Sequence, residues 1–113
     1  MLSKNYRFHS RGGVKYVYQH GKTIRRPDIS LIVCDNSRGK TRFAVVVSKK
    51  TLKSAVGRNR IRRRVYEGIR LNFDKFKKSR DYIFVIYSKA VKDQPFQDLQ
   101  KTIRSLLEES MVQ

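Results

Sequence analysis

The sequence predicts an α+β domain, a single sheet packed by helices. Three observations carry this reading. Between residues 53 and 70, apolar residues recur at Val56, Ile61, Val65 and Ile69, a spacing that suits a helix and not a strand. Residues 29–34 and 81–87 are short apolar runs rich in β-branched and aromatic side chains, as strands are. Residues 95–109 place Phe96, Leu99, Ile103, Leu106 and Leu107 on one helical face, with Pro95 acceptable in the first turn. A chain of 113 residues fits one domain, residues 1–113, around a single core.

Residues 1–10 mix Tyr6, Arg7, Phe8 and His9 without periodicity and read as an arm. Residues 11–20 predict a short helix. Val14, Val17 and Tyr18 fall at i, i+3 and i+4, His20 occupies the last turn, and Gly21 supplies the stop. Residues 22–26 read as a basic connector, though a further short strand would fit near Thr23 or Lys49, and Pro27 resists any helix. Residues 29–34 and 41–48 flank a turn-rich stretch and pair most economically as an antiparallel hairpin with a long loop. Ser54 is the candidate N-cap of the arginine-rich helix. Gly57 and Gly68 weaken that helix by up to about 1 kcal/mol each relative to Ala, which docking of the Ile61, Val65 and Ile69 stripe must offset. Arg58 and Arg62 border the stripe, while Arg60, Arg63, Arg64 and Arg70 project to the other side. Residues 75–80 form a basic loop or helical end, 81–87 a strand apolar enough for a central position, and 88–94 a polar connector; 110–113 fray. The order is α-β-β-α-β-α. A helix between two strands implies a crossover, right-handed by default if the strands are parallel.

The charge decides the function class. Lys and Arg number 27 against 9 Asp and Glu, a formal net charge of +18 that repels itself unless a polyanion is near. No apolar run approaches the roughly 18 residues a membrane span needs, and the first residues lack the apolar core of a secretory signal. A cytoplasmic polyanion, nucleic acid first among them, is the expected partner, with no membrane and no obligate protein partner. Cys34 is the single cysteine, set in an apolar run, and reads as a buried structural thiol. His9 and His20 show no metal-ligand spacing, and the acidic residues are scattered, so metal sites on the protein are left unknown.

The arginine helix with the preceding Lys49, Lys50 and Lys53 is the main candidate site. Guanidinium groups match phosphate oxygens bidentately and stay charged at any working pH. A merely solvated charged face would carry compensating acids, yet only Glu67 lies within the helix.

The segment Phe43-Ala44-Val45-Val46-Val47-Ser48-Lys49-Lys50, followed by Ala55-Val56-Gly57-Arg58-Asn59-Arg60-Ile61-Arg62-Arg63, resembles the protein subunit of bacterial ribonuclease P. Val17-Tyr18-Gln19-His20-Gly21 is similar to the ending of that family's first helix, and Asp81-Tyr82-Ile83 to the start of its last strand. The resemblance covers residues 6–109 in the same order. It implies an αβββαβα fold with a left-handed crossover carrying the arginine helix. It also implies a catalytic RNA and precursor tRNA as partners, and magnesium held mainly by the RNA. Endonucleolytic removal of the 5′ leader would then be catalysed by no residue of the protein. By this resemblance Arg58, Asn59, Arg60, Arg62, Arg63, Lys49, Lys50 and Lys53 meet the catalytic RNA, and Tyr18 meets the leader. Val14 and Ile32 stand where the family often has aromatic residues, which leaves them packing against the leader rather than stacking on its bases. Tyr16, Phe8 and Tyr6 are the neighbours that could compensate. Two rivals differ in class. A structural RNA-binding protein, ribosomal for example, explains the charge but not the Ser-Lys-Lys to Arg-Asn-Arg arrangement. A protein-only nuclease would need His9 and His20 as an acid–base pair.

Overall fold

The computed structural model describes residues 6–8, 11–37, 39–76 and 79–112. Helix α1 (Arg11–His20) ends as the sequence predicts. The Gly21 N–H donates to the Val17 carbonyl at 2.7 Å. A Cβ on Gly21 would lie 2.6 Å from that carbonyl oxygen and 2.7 Å from the Ile32 side chain, so the turn requires glycine.

Strands β1 (Lys22–Arg25), β2 (Ile29–Asp35), β3 (Arg42–Val47) and β4 (Arg80–Ile86) form one sheet in the order β1-β2-β4-β3. The short strand offered near Thr23 forms as an edge strand in place of the basic connector, with Ile24 alone turned into the core. The expected hairpin between residues 29–34 and 41–48 does not form. Strand β4 inserts between its two halves, antiparallel to β2 and parallel to β3. The reason lies in β4 itself. Tyr82, Ile83 and Phe84 are fully buried on both faces, and a β2–β3 hairpin would leave that strand at an edge. The parallel β3–β4 pair is joined through helix α2 (Ala55–Leu71), the expected crossover.

Alternation sorts the sheet into two faces. Leu31, Phe43, Val45, Tyr82 and Phe84 face α2 and the closing helix α3 (Phe96–Val112), packing on Ile61, Val65, Ile69, Leu99, Ile103 and Leu106. Ile32, Ala44 and Ile83 face α1, where Val17 and Phe8 close a smaller cluster. Cys34 sits at the margin of that cluster and is half-buried rather than buried, because α1 leaves the end of β2 open.

The Ser54 hydroxyl accepts from the Gly57 N–H at 3.1 Å, capping α2 as predicted. Val56, expected in the apolar series, is exposed and lies off the docked face. Gly68 has a packing reason that offsets its low helix propensity. A Cβ there would lie 2.5 Å from Ile103 Cδ1, so the missing side chain lets α3 approach. Helix α3 runs to Val112 instead of fraying from residue 110; Ser110 is buried there and its hydroxyl donates to the Leu107 carbonyl at 2.6 Å. Gln113 and residues 77–78 of the expected basic loop lie outside the described residues.

Candidate nucleic-acid interface

Helix α2 presents Asn59, Arg62, Arg63 and Tyr66 at i, i+3, i+4 and i+7, one face. This face looks onto the outer edge of β3. The two enclose an open groove of about 670 Å³, lined also by Arg7, Phe8, Val14 and residues 44–47. The groove thus crosses from the arginine helix to α1. The Arg62 guanidinium donates to the Asn59 side-chain oxygen at 2.9 Å, which sets the two as a unit, and Arg63 is exposed.

Three other arginines of α2, Arg58, Arg60 and Arg64, donate to backbone carbonyls, and Arg70 pairs with Glu67. Arg58 Nη1 donates to the carbonyls of Leu52 at 2.9 Å and Lys53 at 2.8 Å, fixing the turn that leads into the helix. Arg60 Nε donates to the Lys92 carbonyl at 3.1 Å and lies 3.8 Å from Asp93. Arg64 donates to the carbonyls of Val91 at 3.2 Å, Lys92 at 2.5 Å and Gln94. Burial, then the neighbouring Arg60, lowers the Arg64 pKa from its ordinary value. The sequence reading sent Arg64 to solvent. The structure instead uses it as a staple for the chain that precedes α3. Lys49, Lys50 and Lys53 are exposed on the turn before α2, beside the groove's α2 end in sequence and open to solvent.

The N-terminal arm is pinned to the β3 edge. The Phe8 N–H donates to the Phe43 carbonyl at 3.0 Å, and Arg7 bridges Phe43 in the parallel sense. The Arg42 guanidinium lies 4.5 Å from the centre of the Phe8 ring. It also makes a two-pronged pair with the buried Asp81, both bonds 2.8 Å. On the α1 side, Val14 is half-buried against the groove, while Ile32 is only 4% exposed beneath the helix, as floor rather than lining. Tyr18 is 45% exposed, facing outward from the same helix. Burial raises its phenol pKa, and the nearby Tyr87 adds to this. Tyr16 stacks on the His20 ring with centroids 4.1 Å apart, and His20 Nδ1 lies 3.0 Å from the Tyr16 carbonyl. His20 is therefore tied to its own helix, and His9 lies outside the described residues.

The sequence model of the Ribonuclease P family matches residues 2–111, nearly the whole chain. The chain belongs to the ribonuclease P protein family. The Ribonuclease P protein component of Clostridioides difficile strain 630 is 37% identical over 92 residues, covering 80% of this chain and 79% of the relative. That of Chloroflexus aurantiacus is 35% identical over 109 residues, covering 96% of this chain and 80% of the relative. Two solved structures share the fold. The RNase P protein of Thermotoga maritima superposes with a TM-score of 0.81 at 22% identity, covering 91% of this chain and 96% of that one. A Staphylococcus aureus RNase P protein mutant gives 0.83 at 24%, covering 96% and 90%. Within this ribonuclease P protein fold, Asn59, Arg62 and Arg63 meet at one groove, and Arg58 and Arg60 do not join them. Tyr66 and Arg7 were missed by the sequence reading. Tyr66 was legible as i+7 from Asn59; Arg7 carried no periodic signal because the arm has none.

Proposed function

We propose that this chain is the protein subunit of a ribonucleoprotein endonuclease, binding a catalytic RNA and precursor tRNA and assisting removal of the 5′ leader. The observation that supports it best is the Asn59, Arg62 and Arg63 face opening on a groove that reaches α1, in a chain of this family. Arg62 and Arg63 offer forked donors to backbone phosphates, and Asn59 orients Arg62. Lys49, Lys50 and Lys53 lower the potential cost of bringing a polyanion alongside. Arg58 and Arg60 act one step removed, by holding the backbone on either side of the helix start. Tyr18 offers an exposed ring to an unpaired leader base, and Val14 an apolar flank. Reading the leader separately from the catalytic RNA favours precursor over product.

Magnesium belongs to the RNA in this reading. Among the described residues no three His, Cys, Asp or Glu side chains converge on one point. The chain's part is to neutralise charge, which reduces the magnesium requirement, and to hold the leader. No helix among the described residues is long and apolar enough to cross a membrane, and the work is assigned to the cytoplasm. The test is cleavage of precursor tRNA by a bacterial catalytic RNA at low magnesium. Addition of the chain should raise the rate; an unchanged rate overturns the reading.

A further inference from the structure

Among the described side chains lining the groove, that of Arg7, in the arm, carries a polar atom whose needs are unmet. Arg7 lines the groove with its guanidinium carbon 5.3 Å from the centre of the Tyr66 ring. Its Nε is shut away from solvent without a hydrogen-bond partner. A donor left in that state costs stability, so the guanidinium is held at the groove at a cost to the fold. The Tyr66 phenol beside it accepts a hydrogen bond from the Val45 backbone, and both Arg7 and Arg62 are near enough to act on it electrostatically. Three guanidinium groups, those of Arg7, Arg62 and Arg63, therefore border one space, and no carboxylate is among the described residues lining it. Like charges gathered without a counter-charge repel unless an anion is placed among them. The remaining wall, Phe8, Val14 and Val46, is apolar and suits the sugar or base that a phosphate carries.

We propose that Arg7, Arg62 and Arg63 form a seat for one backbone phosphate of RNA at the open edge of β3. The inference rests on the RNA-binding reading above and adds the arm to it. Arg7 carries the site across from α2 toward α1, so the seat lies between the face assigned to the catalytic RNA and the face assigned to the leader. A phosphodiester from either strand has the same chemistry. Because Nε is shut away, the Arg7 fork would meet a phosphate through its terminal nitrogens, which can take two phosphate oxygens at once, with Nε packed behind them.

The experiment uses the full chain with Arg7→Gln and, beside it, Arg7→Lys. Folding is checked by circular dichroism. Binding of the catalytic RNA is followed across a salt series, and the assembled holoenzyme is then titrated with precursor and mature tRNA. Arg7→Gln should weaken binding about tenfold, the loss of one charge-assisted contact, and reduce the log–log salt slope by about 0.7–0.9. Arg7→Lys should keep the slope and lose part of the affinity, because the charge remains and the fork does not. Loss confined to the catalytic RNA assigns the phosphate to that strand; loss confined to the precursor assigns it to the leader. Unchanged affinity and slope in both arms overturn the seat. If Arg7→Gln does not fold, Arg7→Lys decides: wild-type affinity for both RNAs overturns the seat, and a loss of several fold supports it. A wild-type chain that binds neither RNA removes the functional reading and the seat together. Wild-type binding with Arg7→Gln unaffected removes the seat alone.

Discussion

On one side of α2, Arg60 and Arg64 turn back to the carbonyls of residues 91–94; on the other, Arg62 and Arg63 face an open groove beside Asn59. The side chains are chemically identical, and a few positions of helix rotation separate their tasks. The first pair sits where the chain leaves β4 and must turn toward α3, a stretch whose carbonyls have no ladder to join. The second pair sits over the edge of β3, where the sheet ends. A guanidinium therefore serves the fold where backbone acceptors lie within reach, and stays at the open groove where they do not. Arg42 belongs with the first kind, since Asp81 takes both prongs of its fork.

Asp81→Ala should give the largest effect and sharpen that division. It leaves Arg42, whose side chain is only 17% exposed, without its carboxylate, and breaking a buried pair of this kind costs about 3–5 kcal/mol. Urea denaturation should report the loss, and a change below about 1 kcal/mol would show that water replaces the pair. Arg64→Ala should follow at about 2 kcal/mol, because three carbonyls lose their donor. The salt slope of RNA binding should stay where it was; a fallen slope would put Arg64 in the interface. Tyr18→Ala should leave stability nearly unchanged and weaken precursor binding by about 1–2 kcal/mol, the scale of one stacked base. Mature tRNA should bind as before. Equal losses for both would assign Tyr18 to packing instead.

Much of the fold was legible because its signals are local. Ser54 ahead of an apolar stripe marks an N-cap, and Gly21 after His20 marks a helix end; both stand where the sequence puts them. Sheet order is not local. Residues 35–40 have the composition of a hairpin loop, yet the burial needs of Tyr82 and Phe84, far along the chain, decide which strands pair. Strand β1 is legible only as an option near Thr23 beside a basic connector, because an edge strand with one inward residue shows little alternation. At the candidate site, helical spacing alone could have joined Asn59, Arg62, Arg63 and Tyr66. It could not tell Arg64 from Arg63, since the carbonyls that capture Arg64 come from a segment 27 to 30 residues away. Nor could it bring in Arg7, whose position depends on the bond between Phe8 and Phe43.

The division within α2 is tested most directly by measuring catalytic-RNA affinity against salt for two double variants, Arg62→Ala with Arg63→Ala and Arg60→Ala with Arg64→Ala. If the groove side grips phosphate, the first should lower the log–log slope by about 1.4–1.8, two contacts' worth, with melting temperature kept. The second should lower the melting temperature and keep the slope. Equal slope changes in the two variants, or a change only in the second, would contradict the account.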